Sequence, residues 1–332
     1  MIAARAVSAV IIAMVLLASG CSNGEGPAKA STEGSPVVVT TDLDFYESED
    51  GEVKRLDVYR PESGEDLPLV VLFHANPVFG GTKADVDQLA TIVAGRGAVV
   101  VAPTYGDRVS MADMGLLAGH LLTWFRDQGA CAVWAAVDLA SSFGADPSGV
   151  IVVGDVTGIA PAQFATLDPP PAVPGCTAPP SEAPIDKAIL FETDWFMVPD
   201  IWDQVIVDDP EWFAAITHWD ELSKPTATRI HLLAGELGAA NTVRSMEGDS
   251  YLESDWVRLR DPEGAFADAW ASAGTLADDS MSFTDVTRVV TEVLVDAGWD
   301  ADFAIVPGVA HSLSTDESKA FVANLVFDDQ SD

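Results

Sequence analysis

Basic residues are scarce. The 332-residue chain carries 17 Lys and Arg against 52 Asp and Glu, a formal net charge of −35. No basic patch persists in such a field, which excludes nucleic acid and electrostatic docking on anionic membranes. The acidity itself reads as a solubility device. Histidines number five, and His74, His120, His218, His231 and His311 show no metal-ligand spacing, alone or with cysteine. No glycine-rich phosphate loop follows a strand, and there are no internal repeats. The expectation is therefore no metal and no cofactor. Cysteine is almost absent, with three residues at Cys21, Cys131 and Cys176.

What is present at the N-terminus is a short cationic start at Arg5, an apolar run over 6–18 broken only by Ser8, and then L-L-A-S-G-C. A run too short to span comfortably, followed by small residues, reads as a secretory signal. The cysteine after Ala18-Ser19-Gly20 resembles the bacterial lipobox. That resemblance implies a signal peptide over 1–20, removal before Cys21, and a diacylglycerol on its thiol. The expected location is then the bacterial cell envelope, outside the cytoplasm, with the membrane as a partner through the anchor. Residues 21–36 are rich in Gly, Ser and Pro, lack large apolar residues, and read as a flexible tether. The folded domain is expected over 37–332.

Within it, strand-like apolar runs alternate with helical patterns. Strands are expected at 37–40 and 56–59, pairing as a hairpin or meander. The near-continuous apolar runs at 67–73 and 98–102 read as buried parallel strands. Further strands are expected at 150–153, 188–191, 230–234 and 301–306, with helices at 82–94, one or two within 111–143, 281–298 and 316–326. This alternation argues for a mostly parallel, doubly wound sheet with helices on both faces. The segment 168–184 holds seven prolines in seventeen residues and cannot be regular. Four tryptophans, Trp195, Trp202, Trp212 and Trp219, follow within 195–224. Together, about 168–224 reads as a Pro- and Trp-rich insertion over the carboxyl edge of the sheet, where such folds bind ligands.

The stretch V-V-G-D-V-T-G at 152–158 places two glycines around Val156. With the lead-in F-G-A-D-P-S-G at 143–149, it resembles the nucleophile elbow of the α/β-hydrolase superfamily, in its secreted esterase and lipase branch. L-V-V-L-F-H-A at 69–75 is similar to that family's oxyanion strand, and V-P-G-V-A-H-S at 306–312 to its histidine loop. The resemblance covers most of 50–330 and implies the α/β-hydrolase fold. It gives His311 the place of the catalytic histidine, Val156 that of the nucleophile, and His74, Ala75 and Thr157 the oxyanion region.

Valine has neither a lone pair nor a proton to transfer, so Val156 is inert. Shifting the register makes Asp155 the nucleophile, with Val153 and Thr157 at the small positions, or Thr157 the nucleophile, with Asp155 and Ile159 there; both fit the turn badly. The family's acid would fall on Gly238 in H-L-L-A-G-E-L-G. Glu236, two residues earlier, and Asp194, after the 188–191 strand, are the available substitutes. Ala75 replaces the glycine expected beside the oxyanion. The resemblance also implies a Cys131–Cys176 disulfide, and an exported chain permits one. Taken together, the expectation is a hydrolase-like lipoprotein with a degenerate triad that binds a small-molecule or protein ligand without catalysis. Two alternatives stand beside it: an active, serine-independent ester hydrolase with a rearranged site, and a structural envelope scaffold.

Overall fold

The computed structural model describes residues 34–47, 51–75, 81–106, 114–167, 172–177, 185–191, 227–237, 242–244, 281–309 and 312–328. Cys21, Asp194, the four tryptophans, His218, Gly238 and His311 lie outside the described residues, and His120 lies on a described helix without a described side chain.

Two long strands open the domain, β1 (Val37–Glu47) and β2 (Val53–Pro61), paired antiparallel from Val37↔Pro61 to Glu47↔Val53. Next come β3 (Leu67–Phe73), a short 3-10 turn Lys83–Val86, helix α1 (Asp87–Gly95) and β4 (Val99–Pro103). The Ala- and Leu-rich region after it forms one 30-residue helix, α2 (Met114–Phe143). Strand β5 (Ala145–Asp155) leads through a three-residue turn into α3 (Ile159–Leu167). The last parallel strands are β6 (Ile185–Phe191), β7 (Arg229–Gly235) and β10 (Asp300–Val306). Between β7 and β10 lie a small two-stranded pair, β8 (Thr242–Arg244) with β9 (Met281–Ser282), and α4 (Phe283–Asp296). Helix α5 (Asp316–Phe327) closes the chain, its Thr315 hydroxyl accepting the Ser318 N–H at 3.1 Å as an N-cap.

The eight main strands run in the order β1-β2-β4-β3-β5-β6-β7-β10. Every neighbouring pair from β4 onward is parallel. Alternation along each strand sends side chains to two cores. Leu69, Val71 and Phe73 pack with Val152, Leu190, Leu232 and the α2 alanines on one face. Val70 and Leu72 pack with Ile189 and Leu233 of the neighbouring strands, Leu89 of α1 and Val322 of α5 on the other. Both faces of the central strands are buried, which is why they read as unbroken apolar runs. Among the described residues, no helix is long and apolar enough to cross a membrane.

Several boundaries differ from the sequence reading: β1 runs on from 40 to Glu47, β2 spans Val53–Pro61 where 56–59 was expected, and β6 begins at Ile185, three residues early. The helix expected over 82–94 opens as the 3-10 turn and turns α-helical only from Asp87. Residues 145–149, ahead of the strand expected at 150–153, extend β5 at its start, with a register shift against β3 between Leu67 and Leu69. The helix expected from 281 begins at Phe283 because Met281 and Ser282 pair with β8. The chain is also fixed slightly ahead of 37: the Ser35 N–H donates to the Gly95 carbonyl at 2.9 Å, and the Pro36 carbonyl accepts the Glu62 N–H at 3.1 Å.

Candidate functional site

The parallel strands end together at Phe73, Gly154–Asp155, Phe191, Gly235 and Val306, and the chemistry-bearing motifs gather at this edge. The turn after β5 occupies its centre. Val156 sits at its tip with φ +51°, buried to 5% exposure. Left-handed backbone is a genuine outlier for a β-branched residue, so the surroundings must impose it. They do so through close backbone approaches. A Cβ on Gly154 would lie 2.6 Å from the Gly158 carbonyl oxygen and 2.6 Å from the Ile159 Cα. A Cβ on Gly158 would collide with the Phe73 carbonyl and lie 2.8 Å from that of His74. Both glycines are thus sterically required, and the turn is a sharp strand-to-helix elbow pressed against the end of β3.

At the end of β3, His74 is fully buried. Its Nδ1 lies 2.9 Å from the Ala75 carbonyl oxygen. A carbonyl only accepts, so Nδ1 carries the proton and Nε2 is a bare acceptor. Nε2 finds no hydrogen-bond partner among the described residues. The ring lies 4.6 Å from that of Tyr105, whose hydroxyl donates to the His74 carbonyl. Burial holds the His74 pKa below its ordinary 6.5, outweighing the Ala75 hydrogen bond and the Asp85 charge, which push it up. His74 is therefore a neutral ring seated in the wall of the site. Burial, and secondarily the Asp155 charge, keep Tyr105 protonated.

Asp155 precedes Val156 and is buried. Its Oδ1 accepts the Leu313 N–H at 3.0 Å, across 158 residues of sequence. This bond ties the elbow to the loop after β10. A second set of bonds holds the same loop from β7. Glu236, one residue past that strand, accepts the Gly308 N–H at 2.8 Å, and the Leu237 N–H donates to the Val309 carbonyl at 2.8 Å. The loop is thus anchored at Gly308 and Val309 on one side of position 311 and at Leu313 on the other. Thr157 is half-buried within the elbow.

The disulfide implied by the resemblance is present: Cys131 of α2 and Cys176 are bonded, with Cα atoms 5.5 Å apart. Cys176 also bridges to Tyr46 of β1, so the bond seats 172–177 between α2 and the end of β1. His231 is not part of the site. It is buried on β7, its Nδ1 bonded at 2.9 Å to Asp302 of β10, directly opposite in register. No group of three or more potential metal ligands occurs among the described residues.

Three structural residues escaped sequence reading. Tyr105 and Gln128 hold the chain after β4: the Gln128 Oε1 accepts the Gly106 N–H at 2.7 Å. Leu313, its side chain buried in the core, reaches Asp155 through its backbone N–H. Tyr105 follows a buried strand in A-P-T-Y-G, which marks it as a strand-end residue, whereas a backbone donor carries no sequence signal.

No family model matches the chain, and no curated protein matches it. Solved structures do match. The chain resembles brefeldin A esterase, a bacterial homologue of human hormone-sensitive lipase, at 17% identity and TM-score 0.57, over 98% of this chain and 87% of that one. It resembles esterase B from Lactobacillus rhamnosis at 12% identity and TM-score 0.56, over 92% and 89%. A fungal esterase from Rhizomucor miehei aligns at 13% identity and TM-score 0.53, over 96% of each chain. Identities this low carry the architecture alone. The sheet order, the helices on both faces and these neighbours together establish that the chain has the α/β-hydrolase fold.

Proposed function

We propose that this protein is a non-catalytic member of the esterase-like α/β-hydrolases, an envelope lipoprotein that binds a small-molecule or protein ligand at its former acyl-transfer site. One observation carries the reading: Val156 stands at the tip of an elbow whose strain and close contacts remain intact. A strained turn costs about 1–3 kcal/mol and persists where the surrounding structure holds it for a purpose. Here the shape is kept and the nucleophile is absent. Two carboxylates at the same edge of the sheet support this, since Asp155 accepts a buried N–H and Glu236 accepts that of Gly308. In this reading Gly238 and Ala75 mark further losses, of the acid and of the oxyanion glycine. Triad members act as a unit, so once one is lost little selection holds the others. Lipidation of Cys21 supplies the anchor.

The test is turnover of nitrophenyl esters of graded acyl length, and labelling by a fluorophosphonate, on the purified mature protein. The expected rate equals that of His311→Ala. Turnover above that control overturns the reading in favour of a rearranged hydrolase. A ligand, once found, is expected to raise stability by about 2.7 kcal/mol at a hundredfold excess over its Kd. A scaffold would show no such gain with any ligand.

A further inference from the structure

The chain enters the domain at the end of the sheet opposite the elbow. Gly34, Ser35 and Pro36 pack at the carboxyl end of α1 and beside Glu62: Ser35 bonds to Gly95, Pro36 to Glu62, and β1 starts opposite Pro61. Because β2 runs antiparallel to β4, Pro61 lies toward the start of β4, at the amino-terminal edge of the parallel strands. The elbow, the His74 wall and the clasped loop after β10 all stand at the carboxyl edge. Entry point and site are therefore separated by the full height of the sheet. Strand β3 has seven residues. At about 3.3 Å per residue that height is roughly 20 Å.

From this placement we infer that a lipid on Cys21 holds the domain with its elbow edge turned away from the bilayer, so that the ligand arrives from the aqueous phase and not from the anchoring membrane. The inference rests on the lipoprotein reading above. Between Cys21 and Gly34 lie thirteen residue steps. A random chain of that length spans about 20 Å, and a fully stretched one about 45 Å. A domain of this size has a radius of gyration of roughly 19 Å. For the elbow edge to meet the membrane, the linking chain must run up the flank of the domain, about 20 Å of height plus a comparable lateral distance. That path uses nearly the whole stretched length and removes most of the chain's conformational freedom. With the elbow edge outward, the chain is under no such demand. The net charge of −35 adds repulsion between an anionic bilayer and the body of the domain.

Two single-cysteine variants test the orientation in the full lipidated protein reconstituted into phosphatidylcholine vesicles. Glu62→Cys reports the entry edge and Leu237→Cys the elbow edge; both positions are exposed. Cys131 and Cys176 are bonded to each other and do not compete for the label. With a fluorophore on each and a nitroxide-headgroup lipid as quencher, the expected quenching is several-fold stronger at 62 than at 237. Equal or stronger quenching at 237, with the protein still floating with vesicles, overturns the orientation alone. Failure of the wild type to float with vesicles, or undiminished flotation of Cys21→Ser, overturns the anchor and the orientation with it.

Discussion

At φ +51°, Val156 inverts the usual ranking of small residues, and this can be measured. Truncating its buried side chain to alanine loses apolar contact but keeps a Cβ in left-handed backbone. Truncation to glycine loses slightly more contact and removes the strain, which is about 1–2 kcal/mol for an L-residue. Val156→Gly is expected to be more stable than Val156→Ala by about 1 kcal/mol in urea unfolding. The opposite order would mean that the elbow relaxes in solution. His74 offers a second residue-level measurement. Its folded pKa lies below the unfolded value of 6.5 because burial penalises the charged ring. Below about pH 6.5 the unfolded chain binds the proton that the folded one refuses, so stability falls as pH drops through that value. The slope from this group is at most about 1.4 kcal/mol per pH unit, and above pH 6.5 it vanishes. The many carboxylates also titrate, so the informative quantity is the difference between wild type and His74→Gln. That difference is expected to be flat above pH 7 and to narrow between pH 6.5 and 5. A difference independent of pH would place a solvated ring at this position, one that binds its proton equally in the folded and unfolded chain.

Among the elements, those legible in the sequence were the ones whose burial leaves a periodic or unbroken apolar trace. Strand β3 falls at its expected position, and β10 starts within one residue of its own, because one is covered on both faces and the other follows a glycine stop. Helix α3 left no trace: I-A-P-A-Q-F-A-T-L is apolar nearly all round, so it shows no helical period, and its residues are buried against α2. The β8–β9 pair joins Thr242 to Ser282 and Arg244 to Met281, far apart in sequence, and depends on a register that no local pattern encodes. The site divides in the same way. The elbow was legible because close backbone approach demands glycine at fixed spacing. The Asp155–Leu313 and Glu236–Gly308 bonds were not, because each uses a backbone donor from a distant loop. The disulfide is the element-level feature most open to test. It closes a loop of 45 residues between α2 and the segment at 172–177. Chain entropy alone assigns such a link about 4 kcal/mol. The double variant Cys131→Ala, Cys176→Ala is expected to lose about 2–4 kcal/mol, read by denaturant midpoint against wild type without reductant. Loss below about 1 kcal/mol would mean that the Tyr46–Cys176 bridge and the α2 packing hold the segment by themselves.

For the molecule as a whole, the imbalance of 52 acids against 17 bases sets how stability responds to salt. Two effects compete. Salt weakens the ion pairs that exist, such as Lys83 held between Asp42 and Asp57, or Arg55 with Asp44 at 2.9 Å. Exposed pairs of this kind are worth about 0–1 kcal/mol each. Lys83 is the stronger case, its pKa raised by the two carboxylates against burial, which lowers it. Against these few pairs stands the mutual repulsion of all unpaired carboxylates, which compaction concentrates and unfolding relieves. With three acids for every base the repulsion must prevail. Raising NaCl shortens the screening length from about 10 Å at 0.1 M to about 3 Å at 1 M, below the usual spacing of surface charges. The melting temperature is therefore expected to climb through this range, by roughly 2–4 °C for each kcal/mol recovered. Chloride is the right anion for the measurement, because sulfate strengthens apolar burial in any protein and would mimic the effect. The gain should shrink at pH 5, where part of the carboxylate charge is already neutralised, and a melting temperature that is flat or falls with NaCl at pH 7 would show that the acids are locally compensated by cations the sequence does not supply.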